Sequence, residues 1–202
     1  MYKGPFDPSR ASGRRSLRDP IVIASEAKQS MNKKVLFVLP IILILGGVIF
    51  FTPSKTLLAI YNRKNPEQRV YSAEAYRKGF IISYTHSVNK GRIHDYYKCD
   101  KKKSGLILDR MYFVSYGAGI PEPEEIPGAT FTALDDSYII SDINRFVPKL
   151  VMAVGLIADH TFAVDQEEIK ELPLKDYFEA QTSLIFEIEK VSLAGYLAHK
   201  ID

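Results

Sequence analysis

The chain has 202 residues, enough for one ordinary domain with appendages. Its apolar fraction of 46% excludes a globally disordered chain. The formal charge of +3 does not describe a basic domain: residues 1–30 carry six Lys/Arg against three Asp/Glu, whereas residues 31–202 carry 21 of each sign, which excludes a strongly basic nucleic-acid binder.

Residues 1–30 mix Pro, Gly, Ser and Arg without periodicity and are read as a mis-called or disordered extension. The stretch from Asp19 to Ser30, DPIVIASEAKQS, resembles the peptide read from dispersed intergenic repeats in bacterial genomes. Translation is therefore expected to begin at Met31; a tryptic peptide from residues 19–28 of the native protein would contradict this.

Residues 31–54 form the next segment. Residues 35–51 are an uninterrupted apolar run, VLFVLPIILILGGVIFF, preceded directly by Lys33 and Lys34. Its length lies at the short end of the roughly 17–25 residues that cross a bilayer. Basic flanks stay on the cytoplasmic side, so one N-terminal transmembrane helix is expected, with the rest of the chain outside the cytoplasmic membrane. A cleaved signal peptide is the alternative. The bulky Val48-Ile49-Phe50-Phe51 at the end of the run lacks the small residues of a cleavage site and favours a retained anchor.

From residue 55 the pattern becomes strand-like, rich in β-branched and aromatic residues. Strands are expected over residues 56–61, 79–88, 94–99, 106–116, 137–141, 149–154, 160–164 and 183–191. In the last, Leu184, Phe186 and Ile188 alternate with Ile185, Glu187 and Glu189. Asn89-Lys90-Gly91 reads as a hairpin turn. Residues 117–128 hold three prolines and three glycines, which no regular element accommodates. The one expected helix is short, around residues 174–179. These features predict an all-β domain over residues 55–202, a compact sandwich or barrel of about eight strands. Charge is divided within it: residues 55–110 hold 13 basic and five acidic residues, residues 111–202 six and 16. Neighbouring strands that offset each other's charge explain this most simply; attraction of the basic half to anionic head groups is the alternative. The lone Cys99 cannot form an internal disulfide and is expected to be an inert strand residue.

Four motifs in order carry a family resemblance. They are Tyr84-Thr85-His86-Ser87-Val88, Tyr116-Gly117-Ala118-Gly119-Ile120-Pro121, Val154-Gly155-Leu156-Ile157-Ala158-Asp159-His160 and Leu172-Pro173-Leu174. Together they resemble the family named for domain of unknown function 1850, over roughly residues 55–195. The chain departs from the family pattern at Asn89, where Glu is usual, at Arg92, where Pro is usual, and at His94, where an acidic residue is usual. Asp95 keeps the second acidic position. The family has no established activity. Its members are small exported or membrane-anchored proteins, often encoded beside or fused to permeases of the tripartite ATP-independent periplasmic transporter type, in the branch whose solute receptors are called TAXI proteins. The resemblance thus implies a non-catalytic accessory to a solute transporter, with the membrane and a tripartite-type permease or its solute receptor as partners. This is an association and not a mechanism seen in residues.

The residues themselves leave three chemistries open. If their strands pair, His86, Ser87 and Asp95 lie with the turn of Gly117, Gly119 and Pro121, and with His160, in one ligand- or partner-binding site. A stand-alone ligand- or metal-binding domain is the second reading, since His86, His94, His160 and His199 could meet Asp95 or Asp159; yet no H-x-H or H-E-x-x-H spacing occurs, and no metal or other cofactor is expected. An exported hydrolase using Ser87 with His160 as base is the third. His86 and Ser87 are adjacent on a strand and point to opposite faces, and the G-x-S-x-G elbow is absent, so no catalytic residue is assigned.

Overall fold

The computed structural model describes residues 33–115 and 119–201. Residues 1–30, Met31, Gly117 and the Tyr116 end of the second motif lie outside the described residues.

Helix α1 (Lys33–Phe51) has 19 residues and runs through Pro40. From Leu36 to Phe51 its apolar side chains are exposed on all sides. Among the described residues no helix is long and apolar enough to cross a membrane.

Residues from Ile49 onward form a separate compact unit. Its elements are β1 (Lys55–Asn62), β2 (Arg69–Ser72), α2 (Ala73–Lys78), β3 (Phe80–Thr85), β4 (Arg92–Asp100), β5 (Gly105–Phe113), β6 (Thr130–Ala133), β7 (Tyr138–Ser141), β8 (Arg145–Val147), β9 (Leu150–Ala153), β10 (Thr161–Val164), β11 (Leu172–Pro173), β12 (Ser183–Val191) and α3 (Leu193–His199). The strands make two antiparallel sheets. One has the order β2-β1-β12-β9; the other runs β11-β10-β3-β4-β5-β7-β6, with β8 also paired to β5. The expected all-β class holds, with twelve strands among the described residues where about eight were expected.

Side-chain alternation explains how the sheets meet. In β1, Leu58 and Ile60 point one way and join Phe80, Ile82, Leu106, Phe162, Leu184 and Phe186 in a core shared by both sheets. Leu57, Ala59 and Tyr61 point the other way, where Tyr71, Ile185 and Tyr196 of α3 cover them. Both faces of β1 are thus buried, which is why its sequence, KTLLAIYN, reads as a nearly continuous apolar run. A second core, built on Ile93, Met111, Phe113 and Ile140, lies under the loop that carries Ile120 and Ile126.

The additional elements are short and set by local chemistry. Helix α2 has six residues. It starts because the Ser72 hydroxyl accepts the Ala75 N–H at 2.9 Å, and it stops at Gly79, whose φ of 103° suits glycine. The expected helix near residue 174 is a single 3₁₀ turn over Leu174–Asp176. A Cβ at Gly79 would sit 2.7 Å from the Tyr97 carbonyl oxygen. Gly79→Ala should therefore cost about 2 kcal/mol or more in urea unfolding, since backbone and side chain both object; an unchanged midpoint would show that this contact is not rigid.

Candidate functional site

The expected single site is divided in two by strand order. His86 follows β3, whose neighbour on one side is β10, so its turn meets the loop before β10. Gly119 follows β5, on the far side of β4.

The first group is outward-facing. The His86 Nδ1 accepts the backbone N–H groups of Val88 at 3.2 Å and Asn89 at 3.3 Å, and the His86 N–H donates to the Gly91 carbonyl at 2.9 Å. The imidazole thereby shapes the hairpin turn. The Thr85 N–H donates to the Ala158 carbonyl at 2.7 Å, which ties this turn to residues 155–158. Between them is a pocket of about 400 Å³ lined by His86, Ser87, Lys90 and residues 155–158. Ser87 is exposed, its carbonyl accepts from Lys90 Nζ, and no imidazole hydrogen-bonds its hydroxyl among the described residues. His160 is engaged elsewhere: its Nδ1 accepts the Gly155 N–H at 3.1 Å, and its ring stacks on Tyr84 at 5.6 Å between centroids. Burial pushes the His160 pKa down, and Arg92 adds to this. Ser87 and His160 are thus not brought together as nucleophile and base.

Two of the departures from the family pattern have structural work. The Asn89 side chain accepts the Gly91 N–H at 2.9 Å and donates to the Ser115 carbonyl at 2.9 Å. Arg92 donates to the Asp159 carbonyl, to the Thr161 hydroxyl and to Glu171, at 2.8, 2.9 and 3.0 Å, joining β4 to the β10–β11 edge. His94, the third, lies on the outer face of β4, where its Nδ1 meets the Ser83 hydroxyl at 2.7 Å. Glu171 stands 3.8 Å from that same nitrogen. A serine–histidine–carboxylate relay needs the two partners on opposite ring nitrogens, and Ser83 is only 1% exposed, so this trio cross-links strands and offers no nucleophile.

The second group is inward-facing. Along β4, Ile93, Asp95 and Tyr97 point to the core side while His94 and Tyr96 point away. Asp95 sits between Ile82 of β3 and Met111 of β5 in the sheet register. Tyr84 donates to its carboxyl. Asp95 keeps some exposure as a residue, but its Oδ1 has no solvent access and no hydrogen-bond partner among the described residues. Burial raises its pKa to about 7, against the opposing effect of the Tyr84 hydrogen bond. The same burial, reinforced by the Asp95 charge, pushes the Tyr84 and Tyr97 phenols up. Asp95 opens onto a cavity of about 1260 Å³ whose lining includes Gly119, Pro121, Met111, Ile126 and Arg145. Of the expected site residues, then, Asp95, Gly119 and Pro121 line one cavity, His86 and Ser87 the other, and Tyr84 links Asp95 to His160.

Sequence reasoning missed Arg145 and Tyr84 as site residues. Tyr84 stands in the first motif and was available to it; Arg145 has no motif to mark it. Among the described residues no group of three His, Cys, Asp or Glu side chains could hold a metal. His199 is on α3, edge-on to Tyr71. Cys99 packs against α2, and burial pushes its thiol up to about 12, which keeps it protonated and unreactive at neutral pH.

No curated protein and no solved structure matches the chain. The model of the family described as a domain of unknown function (DUF1850) matches residues 80–170, which is the family the four motifs resemble and the segment that lines both cavities.

Proposed function

We propose that the chain is a membrane-anchored domain displayed outside the cytoplasmic membrane, which docks on a component of a solute transporter and has no catalytic cycle of its own. The observation that carries this reading is the exposed apolar pair Leu156 and Ile157, 70% and 83% exposed, on the loop tied to the His86 turn. Val88, on that turn, is also exposed. Three large aliphatic side chains on two mutually braced loops form the kind of surface that a soluble monomer avoids and a partner covers. The anchor is supported by the apolar run of residues 35–51, which is helical, follows two lysines and exposes its apolar side chains from Leu36 to Phe51. The transporter is suggested by the family association: the partner is a tripartite-type permease or its solute receptor.

The test is co-purification of the tagged full-length protein from its native membrane in mild detergent. The wild type should bring down a permease or receptor, and Ile157→Asp should reduce its recovery at least about tenfold, because a charge at the centre of an apolar contact must be desolvated. Recovery of no such protein, or equal recovery with Ile157→Asp, would count against the docking reading.

A further inference from the structure

Asp95 is an expensive residue for the fold to carry. A buried polar atom without a partner destabilises the fold, and more so when charged, and the Asp95 Oδ1 is such an atom. Such an unsatisfied group calls for a physical reason, and a donor from outside the chain is one that the cavity beside Asp95 allows. Asp95 is one of the residues lining the large cavity, whose wall also carries an aliphatic part: Leu108, Met111, Ile120, Ile126 and Ile143.

The charged lining narrows the occupant. Three carboxyls, Asp95, Glu122 and Glu125, face one guanidinium, Arg145. Glu122 and Glu125 are fixed at the lip by a reciprocal capping arrangement in the 3₁₀ turn Pro123–Glu125, in which the Glu122 N–H donates to the Glu125 carboxylate at 3.1 Å. An ionised carboxylate only accepts hydrogen bonds, so the complement is a cation that donates them. A quaternary ammonium donates none and is held by aromatic faces, and no aromatic ring is part of this lining among the described residues. A primary ammonium offers three N–H donors on a compact centre. We propose that this cavity binds a small primary amine with an aliphatic body, its ammonium donating to Asp95 and its body lying against Met111, Ile120, Ile126 and Ile143. Among the described residues no carboxylate lies within ion-pair distance of Arg145, so an amine that also bears a carboxylate gains a further contact there.

The proposal is separate from the docking surface and is tested without it. The full-length protein in detergent micelles is titrated calorimetrically with isoamylamine, leucine and isovalerate, which share one aliphatic body. The two amines should bind and isovalerate should not. Asp95→Asn should weaken amine binding at least about tenfold, the loss expected when a charged partner is removed. Measured in the same micelles, this variant also subtracts any partition of amine into detergent. Ile126→Trp, which crowds the aliphatic wall of the cavity and leaves the carboxyl intact, should weaken binding of both amines. Leucine binding more tightly than isoamylamine would assign an amino acid as the occupant, and the reverse order a simple amine. Isovalerate binding as tightly as the amines, wild-type affinity in Asp95→Asn, or binding of none of the three would overturn the proposal. Each of those results would leave the Ile157 co-purification result standing.

Discussion

At pH 8, Asp95→Asn is expected to be more stable than the wild type, by about 2–4 kcal/mol. The sign follows from linkage. Burial raises the Asp95 pKa to about 7 in the folded protein, whereas an unfolded aspartate titrates near its ordinary value of about 4. Below the unfolded value both states hold the proton and the wild type has its full stability. Between about 4 and 7 the unfolded chain loses its proton while the folded protein keeps it, so stability falls by about 1.4 kcal/mol per pH unit. Above 7 both are ionised and the loss stops growing. Tyr84 on β3 donates to the carboxyl, Tyr97 on β4 is near it, and Glu122, Glu125 and Arg145 share the cavity lining with it. Both phenols stay neutral across this window, since their own pKa values are pushed up. Asparagine keeps an acceptor for the Tyr84 hydroxyl and carries no charge to bury. Urea unfolding of the full-length pair at pH 5 and pH 8 should show the gap between variant and wild type widening by about 3 kcal/mol. An equal gap at both pH values would mean that Asp95 is solvated.

Phe80→Ala is expected to have the largest effect of any single truncation. Phe80 is fully buried. It stacks on Tyr97 at 5.2 Å, on Phe162 at 5.8 Å and on Phe186 of the opposite sheet at 5.9 Å, with interplanar angles of 14°, 30° and 9°. Removing the ring opens a void where the two sheets join, and close-packed neighbours can fill it only in part. Such truncations cost about 3–5 kcal/mol, and the site lies toward the upper end because three ring pairs are lost together. Since domains of this kind are stable by only about 5–15 kcal/mol, the variant should lose much of its stability or fail to accumulate. Tyr177→Ala, at an exposed position, should change stability by less than about 0.5 kcal/mol. A loss below 1 kcal/mol for Phe80→Ala would contradict the shared core of the two sheets.

The elements legible in the sequence are those whose pattern is long and unambiguous. Strand β12 occupies residues 183–191 as expected because its alternation runs over nine positions. Residues 119–128, expected to hold no regular element, hold no strand but do carry the single 3₁₀ turn Pro123–Glu125. Strands β2, β6, β8 and β11 were missed because each has two to four residues and lacks the compact apolar runs that marked the equally short β7, β9 and β10. Helix α2 was missed because two caps define it and no apolar stripe does. The site was legible in composition and not in geometry. Asp95 was singled out through the family pattern, but apolar residues lie on both faces of β4, so alternation alone could not say that Asp95 faces inward and His94 outward. The expected meeting of His86 with the Gly119 turn failed for a topological reason: β4 lies between the strands that lead to them. At 89 and 92, where the resembled family has an acidic residue and a proline, this chain has side chains that brace the turn and the sheet edge, while Asp95 joins Glu122 and Glu125 in lining the cavity.

The proposed docking places the loop at Leu156 and Ile157 under a transporter component in the membrane. A photocrosslinking residue placed at Ile157 in living cells tests it most directly, with Leu134, also exposed, as the control position. Docking there should give an adduct with a polytopic permease or its receptor from position 157 and none from position 134. Equal adducts from both positions, or none from 157 in a protein that has reached the membrane, would contradict it.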